Sequence, residues 1–225
     1  MMPSLSRLRL LLLGLVFAAS AVQAGSNAPD MSLVERWLAT NSGVGALKID
    51  FTQTRHMRSV KRASSQDGTL WLDYRNHRFR WQTGDPANTI VVSLGSNLLI
   101  IRTPGKRYEV RPAGSGGSGG APGMAALANG FPRTLAEFKQ RYHVLETRAE
   151  ANTQRIIAKP LGESGRGVNT FTFVIDSTRY RLLGIEIGLE DGSALHTAFR
   201  KVEVNPPLTQ ELFQPSVEGY TKTKF

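Results

Sequence analysis

Five short segments at 69–74, 77–82, 89–94, 97–103 and 106–111 follow one another with only Gly, Pro, Asn or Asp clusters between them, and none of the gaps could hold a helix. Strands this close together can pair only with antiparallel neighbours, because a parallel crossover needs a dozen or more residues. The same period of two governs other stretches. Leu47, Ile49 and Phe51 alternate with Lys48, Asp50 and Thr52. In the C-terminal half the pattern returns at 142–147, 154–159, 169–176, 180–189 and 194–204. There Phe171, Phe173 and Ile175 share one face, and Leu183, Ile185, Ile187 and Leu189 share another. Asp191-Gly192 supplies a tight turn before the last of these strands.

Three helical stretches interrupt the strands. The first, 30–41, has Ser32 and Glu35 at the spacing of a capping box and carries Val34, Trp37 and Leu38 on one stripe. Gly43 and Gly45 stop it. The second, 122–129, carries Met124 and Leu127, and the third covers 134–141. Helices that break into a run of strands instead of alternating with them argue against a parallel βαβ architecture. A large antiparallel sheet tends to curl. The expected fold is mainly β (α+β): an incomplete antiparallel β-barrel of about eleven strands, with a lid of three short helices over an apolar cavity.

Arg7 and Arg9 belong to a leader whose apolar run, from Leu8 to Val22, ends in Val22-Gln23-Ala24, with small residues where a signal peptidase reads. The run is short for a membrane span, which takes about 20 apolar residues. Residues 1–24 are therefore expected to be a cleaved secretory signal, and 25–225 a single domain. With no cysteine in the chain, disulfides, thiolate metal sites and a lipid-anchored N-terminal cysteine are excluded. The Gly/Ser-rich stretch 114–120 resembles a flexible linker, but strand patterns on both sides place it within one domain as a loop.

The 28 basic and 18 acidic residues give a net charge of +10, which favours anionic partners. The basic side chains are scattered along strands, and export from the cytoplasm argues against nucleic acid as a partner.

Catalytic groupings do not emerge. His56, His77, His143 and His196 lie far apart in sequence without metal-ligand spacing, and no serine sits in a nucleophile elbow. Asp50, Asp73, Glu186 and Glu190 read as the polar partners of alternating strands. The loop 114–120 lacks the Lys-Ser or Lys-Thr of a phosphate-binding loop. Phe79 and Trp81, by contrast, sit two residues apart and point the same way, with Trp71 and Tyr108 as further large aromatics. A surface of that kind suits an apolar ligand.

Read in order, Gly68-Thr-Leu-Trp71, Arg78-Phe79-Arg80-Trp81, Pro86 and Thr89 to Ser93 with Gly95 resemble the outer-membrane lipoprotein carrier (LolA) family. Further landmarks are Asp50-Phe51-Thr52-Gln53, Ala125-Ala126-Leu127, Asp191-Gly192, Asn205, Leu212-Phe213, Pro215 and Gly219. The resemblance covers nearly all of 25–225. It implies a non-enzymatic, cofactor-free periplasmic carrier, a monomer touching membrane surfaces only transiently. Such a carrier shields lipoprotein acyl chains between an inner-membrane ABC exporter and an outer-membrane acceptor lipoprotein. A glycolipid or pigment-lipid cargo, or a lipoprotein-sensing role, are the alternatives.

The cavity is expected to draw on Phe51, Trp71, Phe79, Trp81, Val92, Phe171 and Phe173, and the lid on Met124 and Leu127. Where the family has an Arg-Pro pair whose arginine helps to hold the lid, this chain has Tyr74-Arg75-Asn76. Arg75 is the nearest match, and Arg78 the other candidate.

Overall fold

The computed structural model describes residues 28–60, 62–113, 130–162 and 165–223. The leader 1–24, the loop 114–120 and the expected helix 122–129 with Met124 and Leu127 lie outside the described residues.

Helix α1, Met31–Thr40, precedes six strands: β1 (Ala46–His56), β2 (Ser64–Asp73), β3 (Arg78–Thr83), β4 (Thr89–Leu94), β5 (Asn97–Arg102) and β6 (Arg107–Pro112). Helix α2, Leu135–Arg141, leads into β7 (Tyr142–Glu150), β8 (Thr153–Pro160), β9 (Val168–Asp176), β10 (Leu182–Leu189) and β11 (Ala194–Val204). A 3₁₀ turn at Glu211–Phe213 and a two-residue strand β12, Thr221–Lys222, follow. All twelve strands form one open sheet in the order β12-β6-β5-β4-β3-β2-β1-β11-β10-β9-β8-β7. Every pairing is antiparallel except β12 with β6.

The described residues hold twelve strands where about eleven were expected, the extra one being β12, too short to show a period. Of the three expected helices, the first and the third are present, and the second, 122–129, lies outside the described residues. The start of α1 also differs in detail. Asp30, not Ser32, is the N-cap, its carboxylate accepting from the backbone N–H of Ser32 at 2.9 Å. Helix α2 is capped by Thr134, whose Oγ1 accepts from the N–H of Glu137, while the Glu137 carboxylate reaches one residue further back and accepts from the N–H of Arg133.

One face of the sheet, called inner here, carries the core. Leu47, Ile49 and Phe51 of β1 stand beside Leu72, Leu70 and Gly68 of β2, and Leu70 and Leu72 stand beside Trp81 and Phe79 of β3. On the far half, Ile156, Phe173 and Ile185 line up across β8, β9 and β10. The apolar stripe of α1, Leu33, Val34, Trp37 and Leu38, is buried in the same core.

Two of the bulges alter the alternation near the junction of β1, β11 and β10. Phe51 pairs with Phe199 but Asp50 with Lys201, so Arg200 is an extra residue, and the inner set of β11 passes from Leu195, Thr197 and Phe199 to Val202 and Val204. In β10, Leu182 pairs with Ile175 but Gly184 with Val174, which leaves Leu183 unpaired. Leu183 is accordingly exposed and does not share the face of Ile185 and Ile187, while Leu182 packs against the core.

The outer face of β2 and β3 is not bare. The chain after β11 returns across it: Arg80 donates to the carbonyl of Leu212 at 3.1 Å, and the Arg78 guanidinium lies 4.5 Å from the centre of the Phe213 ring. Arg78 is fixed there by Asp73, whose carboxylate it meets at 2.6 Å. Burial alone would raise the Asp73 carboxyl, but hydrogen bonds from Arg78 and Asn76 outweigh it and hold the group below its ordinary 3.8. A depressed carboxyl stabilises the fold above its unfolded value, and that contribution disappears as pH falls through the lower, folded value. Asp73→Asn should therefore cost roughly 1.5–3 kcal/mol at pH 7 in urea unfolding. The gap from wild type should narrow once the pH drops below about 4. A gap that is constant with pH would show that the charge of Asp73 is not what matters.

Candidate functional site

The sequence-predicted cavity residues fall into three groups. Phe51 and Trp81 stack across β2 with ring centres 4.1 Å apart, and Phe79 follows on the same face of β3. Their contact crosses Gly68, where a Cβ would run into the Phe51 ring, so glycine is what lets the rings meet. Phe171 and Phe173 form a second aromatic cluster with Trp37, Phe138 and Tyr142, beneath the two helices. Burial in this cluster pushes the Tyr142 phenol well above its usual range.

Trp71 and Val92 stand apart from both groups. Each pairs with Arg80, from opposite sides, and with it occupies the outer face, where the Arg80 guanidinium sits 5.7 Å over the Trp71 ring. They are out of phase with Leu70, Leu72 and Val91, which belong to the inner core. Only the inner set shares a wall with the helices.

Beside the Phe51–Trp81 stack the inner face is hollow. A cavity of about 480 Å³ lies between the end of α1, β1 and the ends of β10 and β11, lined by Leu47, Ile49, Phe131, Leu182, Phe199, Val202 and Val204. Asn41, Ser42, Arg181 and Asn205 supply polar groups. The volume falls within the roughly 300–1,000 Å³ of small-molecule sites. Val202 and Val204, 45% and 58% exposed, are the greasy open side of this cavity.

Asn205 holds the strands at its edge. Its carbonyl oxygen Oδ1 accepts from the N–H groups of Gly45 and Ala46, and its own N–H donates to the Ala46 carbonyl. Simple alternation missed Phe199, Val202 and Val204 as a set because the Arg200 bulge shifts their phase. Phe131 was missed because it lies in a loop.

Phe131 enters the cavity from a segment that is pinned at Gly130. The Arg141 guanidinium donates to the Gly130 carbonyl at 3.0 Å, and the Tyr74 ring presses on Gly130, where a Cβ would lie 2.8 Å from Cε1. Gly130 has φ +66°, a conformation that glycine adopts without strain. The Arg133 guanidinium lies over the Tyr74 ring, 5.3 Å from its centre. Burial pushes the Tyr74 phenol up to about 12, against a partly offsetting hydrogen bond with the Phe131 backbone, so Tyr74 stays neutral at physiological pH.

Of the two arginines expected at the lid, Arg75 is exposed and lies across Gly45, and Arg78 is committed to Asp73 and Phe213 on the outer face. Tyr74, next to Arg75, is the residue that touches the segment leading to α2. Among the described residues, no cluster of three or more His, Asp or Glu side chains could hold a metal ion, and no helix is long and apolar enough to cross a membrane.

An open antiparallel sheet with one apolar face, helices over part of that face and a hollow beside them defines the class of half-open β-shells. Residues 42–216 match the family model described as outer membrane lipoprotein carrier protein LolA, and the chain belongs to that family. No curated protein sequence matches it. Among solved structures, it is similar to one described as an outer membrane lipoprotein-sorting protein domain from Vibrio parahaemolyticus, with 12% identity, TM-score 0.52, and 81% of this chain and 95% of that one covered. It is also similar to an uncharacterized conserved protein from Thermus thermophilus, with 7% identity, TM-score 0.51, and 86% and 97% covered. At such identities these likenesses concern the fold.

Proposed function

We propose that this chain is a periplasmic carrier that shelters the acyl chains of lipoproteins on the inner face of its sheet and ferries them from the inner to the outer membrane. The observation that carries the reading is the open apolar cavity beside the Phe51–Trp81 wall, in a chain of the lipoprotein carrier family. Each methylene removed from water is worth about 0.8 kcal/mol, so a dozen of them contribute about 10 kcal/mol. A carrier has to return that energy on delivery. A wall that closes on itself when empty does so, because lid and cargo then compete for the same side chains.

In this reading residues 1–24 direct export and are removed, an inner-membrane ATP-driven exporter loads the carrier, and an outer-membrane acceptor empties it. No cofactor or bond-making step is involved. Phe51, Phe79, Trp81, Phe171 and Phe173 form the wall, with the newly found Ile49, Phe131, Phe199 and Val202 at its open end. Arg75 and Tyr74 act at the root of the segment carrying Met124 and Leu127. A glycolipid or pigment lipid would suit the same wall, and mass spectrometry of lipids retained by protein purified from its native periplasm separates these cargoes.

The binding test uses a fluorescent fatty-acid probe and an acylated peptide as competitor. Phe199→Glu places a charge in the cavity and should weaken probe binding by at least tenfold. Arg80→Gln, on the outer face, should leave it within about twofold. Equal losses at the two positions would overturn the assignment of the inner face, and a wild-type protein that takes up neither probe nor peptide would overturn the carrier reading.

A further inference from the structure

The inner face is not apolar throughout. Toward β6, Leu98 pairs with Arg111, Ile100 with Glu109 and Arg102 with Arg107, which brings three arginines and one glutamate onto the face that carries Leu98 and Ile100 of the core. Glu109 is accounted for by Arg102, whose Nη1 lies 3.3 Å from its carboxylate. Arg111 is different. Its side chain is buried, 5% exposed, yet its Nε has no hydrogen-bond partner, and among the described residues no carboxylate lies within 4 Å of it.

Burying a guanidinium without a counter-charge costs several kcal/mol, and a neutral residue of similar size would avoid that cost. The position in the sheet gives the charge a use. Two strands away, Val91 of β4 pairs with Ile100 and with Trp81, so apolar wall and buried cation belong to one continuous surface. We propose that Arg111 is a head-group anchor: it pairs with the anionic end, carboxylate or phosphate, of an amphiphile whose acyl chain lies along Ile100, Val91 and Trp81. This rests on the carrier reading and narrows its cargo: a lipoprotein's acylated cysteine bears ester, thioether and amide groups and no anion at its chains, so the anchor selects an anionic lipid as an occupant of the same wall. An arginine suits the task, since its planar fork meets both kinds of oxyanion with paired hydrogen bonds.

The test compares three ligands of equal chain length on the leaderless protein: a long-chain fatty acid, the corresponding alkyl phosphate and the corresponding alcohol. Wild type should bind at least one of the two anions about tenfold more tightly than the alcohol, the difference expected of a hydrogen-bonded charge pair. A preference for the phosphate alone would assign a phospholipid-type head, and one for the acid alone a carboxylate. Arg111→Met should bring the anions down to the alcohol and leave the alcohol unchanged. Arg111→Lys, which keeps the charge, should retain part of the preference and serves if the methionine variant does not fold. Equal binding of all three ligands by wild type, or a preference that survives in Arg111→Met, overturns the anchor while leaving the carrier reading in place. Absence of binding for all three overturns the anchor, and a failure to take up acylated peptide as well would overturn the carrier reading with it.

Discussion

Trp37→Ala should destabilise the protein by about 4 kcal/mol and lower its melting temperature by roughly 10 °C. Trp37 is fully buried, its ring centre lies 4.7 Å from that of Phe173, and it meets Phe138 of α2 edge-on at 6.0 Å. One side chain thus ties both described helices to β9. Its removal forfeits the transfer energy of a large aromatic and leaves a void that rigid strands cannot collapse into. Trp37→Phe should cost much less, because the indole N–H that it removes has no hydrogen-bond partner to lose. Thermal unfolding of the two variants checks this. A loss below about 1 kcal/mol for alanine would mean that α1 is held by other contacts.

The expected sheet and its hairpins were legible in the sequence for a local reason. Gly, Asn and Asp at the turns mark the chain reversals, and antiparallel neighbours need nothing more. Gly192, for example, takes φ +81° in the turn that joins β10 to β11, as Asp191-Gly192 suggested. Faces were harder to read. Trp71 and Val92 look like core residues because the outer face at β3 is itself covered, with Phe213 buried and Arg80 bonded to Leu212, so apolar side chains occur in both phases of the alternation. Nothing local tells which phase meets the helices.

The bulges were beyond reach as well. Whether Val202 or Lys201 faces inward depends on an extra residue, Arg200, that only the partner strand reveals. Phe131 reaches the cavity through a tertiary contact of Tyr74 with Gly130, made between residues far apart in the chain. The second aromatic wall, Phe171 and Phe173, was read correctly as one face because no bulge intervenes between them and their partners on β8.

Gly68→Val should destabilise the protein by at least about 3 kcal/mol, at the upper end for an overpacked site. Gly68 sits opposite Phe51 on β1 and Thr83 on β3, and a Cβ there would collide with the Phe51 ring and with the carbonyl oxygen of Gln82. The first obstacle is a side chain packed on Trp81, and the second is backbone in the next strand, so neither can swing aside. A β-branched residue ordinarily favours a strand, and propensity alone therefore predicts a gain from this substitution. The sign of the measured change decides between local preference and tertiary packing. A double-mutant cycle with Phe51→Ala separates the two obstacles. Phe51→Ala alone should cost roughly 3–5 kcal/mol, and the pair should cost at least about 1 kcal/mol less than the sum, because the ring that valine strikes is then gone. Strict additivity would show that the Gln82 carbonyl carries the whole effect, and that the meeting of Phe51 and Trp81 does not depend on glycine between them.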